Sequence, residues 1–128
     1  MVHKYLILLL ILLIILIIIF TVIVYNELVV LRNNVISSWK DVLNSIDEYV
    51  KSSSVEKREY DKLIAAEDII NFYYKIKDDG DPSIKEKINT QKRIYNDYAL
   101  ALNNKTMLFP FSIVASIFGF SKWPYFRD

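Results

Sequence analysis

Few side chains in this sequence could carry chemistry. The single histidine, His3, sits at the edge of a long apolar run, where contact with lipid headgroups is its simplest role. Cysteine is absent, which removes thiolate nucleophiles, zinc fingers, disulfides and lipoprotein-type lipid attachment. Two glycines in 128 residues cannot build a phosphate-cradling loop. Asp78, Asp79 and Asp81 stand close enough to suggest calcium ligands. They lack the twelve-residue spacing and terminal glutamate of a helix–loop–helix site, so a solvated turn is the simpler reading. The remaining carboxylates are scattered, and none is paired with a nucleophile or a base. The expectation is a non-enzymatic protein with no catalytic residue, no metal and no cofactor.

Two other groups of residues stand out. Asn33 and Asn96 are polar positions set among apolar stripes. They fit buried hydrogen bonds between helices, which fix register, or contacts to a partner. The C-terminal segment carries seven rings: Phe109, Phe111, Phe118, Phe120, Trp123, Tyr125 and Phe126. Aromatic side chains dominate binding sites and cores alike. This segment therefore covers a bundle, lies in a membrane interface or docks a partner.

The elements that position these residues begin with Leu6–Val24, LILLLILLIILIIIFTVIV, whose only polar residue is Thr21. At ~1.5 Å per residue it spans roughly 29 Å, close to the thickness of a hydrocarbon core. It has no polar face, so it does not suit the surface of a soluble bundle. Its apolar core exceeds that of a cleaved signal peptide, and no small-x-small site follows. It reads as one retained transmembrane helix and residues 1–25 as an anchor, with the lipid bilayer as first partner. Tyr5 and Tyr25 bracket the run, where rings favour the headgroup level. The free amine and Lys4 on the N-terminal flank lean toward a single-pass protein of the cell membrane with its helical domain outside the cytoplasm. Net charge is +1, and apart from Lys4 the charges balance. A nucleic-acid binder would carry a basic excess, and none is present.

Residues 26–105 read as an all-α antiparallel bundle of about three helices, near 26–51, 55–77 and 82–104. In the first, Leu28, Leu31, Val35, Trp39, Val42, Ile46 and Tyr49 recur at steps of three and four. Ser53 and Glu56 have capping-box spacing for the second. Gly80 is placed to end that helix in the left-handed conformation. Asp81-Pro82 reads as the N-cap and first residue of the third. Its stripe is Ile84, Ile88, Gln91, Tyr95, Tyr98 and Leu102, a heptad pattern. Pro110 interrupts it, and Gly119 is placed to stop a short helix within the aromatic segment 106–128.

Two stretches carry a resemblance. YNELVVLRNNVISSWKDV (Tyr25–Val42) follows directly on the membrane run, and QKRIYNDYALALNNKTMLFPFSIVASIFGF (Gln91–Phe120) precedes Tyr125-Phe126. They resemble the two ends of the LemA family of bacterial membrane proteins. The matching positions are Tyr25, Asn26, Leu31, Arg32, Asn33 and Trp39, then Tyr95, Asn96, Phe109, Pro110, Gly119 and Phe120. The resemblance implies an N-terminal anchor, a helical domain and a non-enzymatic interaction or scaffold role at the bacterial membrane, with a protein partner or self-association. Family members typically have four helices after the anchor, and this chain has a shortened middle. With three full helices the first and last would run parallel, leaving the aromatic tail far from the membrane. The alternative is a bitopic coiled-coil component of a cell-envelope or division complex. Such a component would not require the Gly80-Asp81-Pro82 break or the aromatic tail.

Overall fold

The computed structural model describes residues 2–54, 60, 63, 65–76 and 79–126. Among these the chain is all-α, with four helices and no strand. They are α1 (Val2–Ser52), α2 (Ala66–Lys75), α3 (Pro82–Met107) and α4 (Phe111–Phe118).

Helix α1 is continuous over 51 residues, roughly 76 Å of rod. Neither Gly nor Pro occurs between Val2 and Ser52, so nothing breaks it. Residues 2–20 are exposed on every side. From Val24 onward one stripe is buried, with Leu28, Val35, Val42 and Tyr49 along its centre. The last four are seven residues apart, the repeat that keeps a seam facing one partner helix.

That partner is α3. Asp81 caps its start: the carboxylate accepts from the Ser83 amide (2.9 Å) and the Ser83 hydroxyl (2.8 Å). Pro82 fills the first helical position, where no amide donor is needed. Ile88, Tyr95 and Leu102 form the matching heptad line, fully buried with Ala99. The sequence stripe is thus shifted by one position at one end. Tyr98 lies on the exposed edge, and Ala99 takes its place in the core. Buried Ser38 and Ser45 on α1 are small enough to let the two helices close on each other. Ser38 returns its hydroxyl to the Val35 carbonyl (2.9 Å), so its burial leaves no unpaired donor.

The helices α1 and α3 run antiparallel, which corrects the parallel arrangement expected for three full helices. Both ends are pinned. The Asp81 amide donates to the Ser52 hydroxyl (2.9 Å) where α1 finishes and α3 begins. At the opposite end Lys105 pairs with Glu27 (2.9 Å). The reason lies in the connection: the chain leaves at Ser52–Ser54 and returns to the same place at Asp79–Asp81. The Ser54 hydroxyl donates to the Asp79 carboxylate across this gap.

The helix expected over 55–77 is interrupted at Leu63 and Ala65, which are not helical, and α2 after the break is ten residues, roughly 15 Å against roughly 39 Å for α3. Ala65 before it is extended and supplies no side-chain cap. Of the expected capping box, the Ser53 hydroxyl donates back to the Val50 carbonyl (2.9 Å). Glu56 lies outside the described residues, as does Asp78. Helix α2 closes the far end of the bundle with Ile69, Ile70 and Tyr73. Tyr73 sets its ring edge against Tyr49 of α1 (6.3 Å between centroids).

Gly80 does not take the left-handed conformation, which among the described residues belongs to Gly119 alone. Its small size serves a close approach instead: a Cβ there would fall 2.5–2.8 Å from the Tyr49 ring. Gly119 stops α4 as its position predicts, with φ 72° and the Phe120 amide reaching back to the Ala115 carbonyl (2.9 Å).

Candidate functional site

The aromatic segment divides into three parts: an apolar corner, helix α4 and an extended tail. The corner begins where α3 ends. Leu108 is extended and Pro110 has no amide to continue the helix. Met107, Leu108 and Phe109 are exposed, Phe109 to 80%. Helix α4 then turns back on α1, burying Val114 and Ala115 in the same cluster as Val24 and Leu28. Its outer face keeps Ile113 and Ile117 exposed, and Phe118 half so. The Phe118 and Phe120 rings meet Tyr25 at 4.8 and 6.1 Å, and Arg32 lies over Phe120 (4.6 Å). Tyr25 marks the level where the apolar run of α1 ends. The tail thus starts beside that run, contrary to the expectation that it would lie at the far end.

Beyond Gly119 the tail runs extended and antiparallel to α3, gripped by three side chains. The Asn103 amide binds both backbone groups of Trp123, accepting from its N–H (3.0 Å) and donating to its C=O (2.9 Å). It also donates to the Tyr125 hydroxyl (2.7 Å). Asn96 does the same for Phe126, accepting at 2.8 Å and donating at 3.0 Å. Between them the Tyr95 hydroxyl donates to the Pro124 carbonyl (2.6 Å). The spacings agree: seven helical residues advance ~10.5 Å, and three extended residues advance ~10 Å. Each asparagine stands in for a neighbouring strand, so the tail is satisfied without a sheet. Burial raises the Tyr95 phenol well above its usual range, and Tyr125 nearby acts in the same direction. It therefore stays a donor at any physiological pH.

The candidate residues separate accordingly. Phe126 is buried, 4% exposed, with its ring against Tyr95, Trp39 and Tyr73. Phe111, Phe120 and Trp123 are half-buried against the core. These four act as a lid, and only Phe109, Phe118 and Tyr125 offer substantial surface. Neither asparagine joins two helices. Asn33 is exposed on the outer side of α1, and Asn96 holds the tail. Asn103, which sequence reasoning passed over, is the more buried and more heavily bonded of the clamp asparagines. The available signal was its separation from Asn96 by two helical turns on one face.

A second concave feature lies at the far end of the bundle, a polar pocket of about 280 Å³ lined by Tyr49, Tyr74, Lys85 and Lys92, among others. Among the described residues no group of three or more His, Cys, Asp or Glu side chains is arranged to hold a metal.

No curated protein and no solved structure matches this chain. The model of the LemA family does match, over residues 23–128. The matched span starts at the last turn of the apolar run and takes in the antiparallel pair, the corner and the clamped tail. On that extent of agreement, the chain belongs to the LemA family.

Proposed function

We propose that the protein is a non-enzymatic, single-pass membrane protein whose helical domain presents an interaction surface at the bilayer. The observation that carries this reading is the continuity of α1. One unbroken helix supplies both the apolar rod and the central strut of the domain core. It is the one described helix long and apolar enough to cross a membrane. No linker intervenes, so the domain is held at a fixed height and angle, as a scaffold requires. Lys4 on the N-terminal flank favours placing the domain outside the cytoplasm.

The intramolecular pairing speaks against a long division-type coiled coil. The heptad seam of α1 at Leu28, Val35, Val42 and Tyr49 is already filled within the chain. A second helix could join it only by displacing α3.

The test is capture of the full chain from native bacterial membranes through a photocrosslinker at exposed Tyr125. Reproducible recovery of a distinct protein, lost when the probe moves to Asn33, supports the scaffold reading. Recovery of this chain alone overturns it. A reporter fused after Asp128 decides the orientation.

A further inference from the structure

We propose that the corner formed by Met107–Phe109 and the outer face of α4 lies in the bilayer interface, giving the domain a second, peripheral contact with the leaflet through which α1 exits. This rests on the reading of α1 as membrane-spanning. Four observations then converge.

The first is height. If Leu6–Val24 fills the hydrocarbon, Tyr25 sits at the headgroup level. The α4 end is in direct ring contact with Tyr25 through Phe118 and Phe120. Val24, the last residue of the apolar run, is only 2% exposed and shares a cluster with Val114 and Ala115. Domain core and membrane segment therefore overlap at Val24, and α4 has no room to stand clear of the lipid surface.

The second is the surface itself. Leu108, Phe109, Ile113 and Ile117 are 58%, 80%, 52% and 70% exposed, while α4 buries Val114 and Ala115 on its other side. A helix with one face on the domain and an apolar face outward, at this height, matches the pattern of an interfacial helix. In water such a patch would be a liability.

The third is charge. From Thr106 to Ser121 there is no charged residue, and the stretch is bracketed by Lys105 and Lys122. Arg32 lies beside it, over Phe120. Lys105 is paired with Glu27, so Lys122 and Arg32 are the cations left beside the uncharged apolar patch to complement anionic headgroups. The fourth is continuity: Val24 at the end of the apolar run packs in one cluster with Val114 and Ala115, so the outer face of α4 adjoins the apolar surface of α1. Lipid already covers one side of that junction in the spanning arrangement, so lipid is the occupant that requires no further partner.

The chain has no cysteine, so single nitroxide labels report one site each. The full chain is reconstituted in phosphatidylcholine vesicles with a minority of phosphatidylglycerol. Labels are placed at Ile117→Cys, at Ile94→Cys on the exposed side of α3, and at Leu13→Cys in the apolar run. Collisions with oxygen, which enriches in lipid, and with a water-soluble nickel chelate are measured. The expected result is a several-fold loss of nickel collisions at Ile117 relative to Ile94, with oxygen collisions raised. A label at Ile117 open to nickel, with Leu13 deep in lipid, overturns the second contact and leaves the spanning helix standing. A label at Ile117 shielded from both reagents overturns it in favour of a second copy or another protein. If Leu13 itself is open to nickel, the spanning reading fails first. All three positions are exposed, so each variant tests placement rather than folding.

Discussion

At the scale of single residues, the asparagines show how chemistry and context divide. Asn33, Asn96 and Asn103 carry the same amide, but only the last two meet a backbone that lacks partners. Asn103→Ala leaves both backbone groups of Trp123 without their side-chain partner in a site only 4% exposed at the asparagine. Leaving buried groups unpaired costs about 2–3 kcal/mol here. Asn33→Ala, on the open side of α1, should change stability by less than about 0.5 kcal/mol. Denaturant unfolding of the detergent-solubilised full chain, with the two variants compared, checks both. Asp81 gives a pH dependence whose sign is fixed. The Ser83 hydroxyl and then the Ser83 amide hydrogen-bond to its ionised carboxylate and lower its pKa. Its contribution is complete above the usual carboxylate value of ~3.9 and is lost as pH falls through the lower folded value. Asp81→Ala should therefore melt earlier than the parent at neutral pH, and the two melting curves should converge in strong acid. Asp81→Asn keeps a capping acceptor without the titration, so its own cap should not weaken with acid.

At the scale of elements, the two glycines are required for different reasons, and substitution separates them. At Gly119 the backbone is left-handed with open space around it, so Gly119→Ala meets conformational strain alone, about 1–2 kcal/mol. Gly80 has an ordinary backbone, but a methyl there would press on Tyr49, which is buried and cannot swing away. Gly80→Ala should cost about 1–3 kcal/mol as an overpacking defect. A Tyr49→Leu background should recover part of that loss and do nothing for Gly119→Ala, a difference that thermal melts of the four variants resolve. The periodicities of α1 and α3 were legible because each helix has a partner along its length, so the pattern of burial is written in the residues. The break at Leu63 and Ala65 in the helix expected over 55–77 was not legible from the same kind of stripe. Stepped apolar residues from Tyr60 to Ile76 are compatible with a long helix. They do not reveal that the serines at the end of α1 are engaged by the Val50 carbonyl, Asp79 and the Asp81 amide.

At the scale of the whole molecule, the antiparallel pairing is the decisive feature, and it makes a direct prediction. Cysteines replacing Glu27 and Lys105, whose charged groups meet at 2.9 Å, should be bridged within one chain by a short bismaleimide that spans the length of the two lost side chains. The product should run as a monomer on non-reducing gels. An extended coiled coil with α1 paired between chains would give dimers instead. Cysteines at Glu27 and Ser83, at opposite ends of the bundle, should not join within a chain.

The residues alone determined that the chain is all-α, that it begins with a bilayer-length apolar rod, and that aromatic rings crowd its end. These follow from local rules: periodicity, breakers and the reach of a helix across lipid. The family likeness was also legible, because its motifs stand at the two ends of the domain in fixed order. The direction of α3, the rank of Asn103 over Asn33 and the placing of the aromatic corner beside Tyr25 were decided by tertiary structure. Each depends on where the chain returns after Ser54, and that return is governed by contacts between residues more than twenty positions apart. A stripe says that a face will be covered; it does not name the side chain, in sequence or in space, that will cover it.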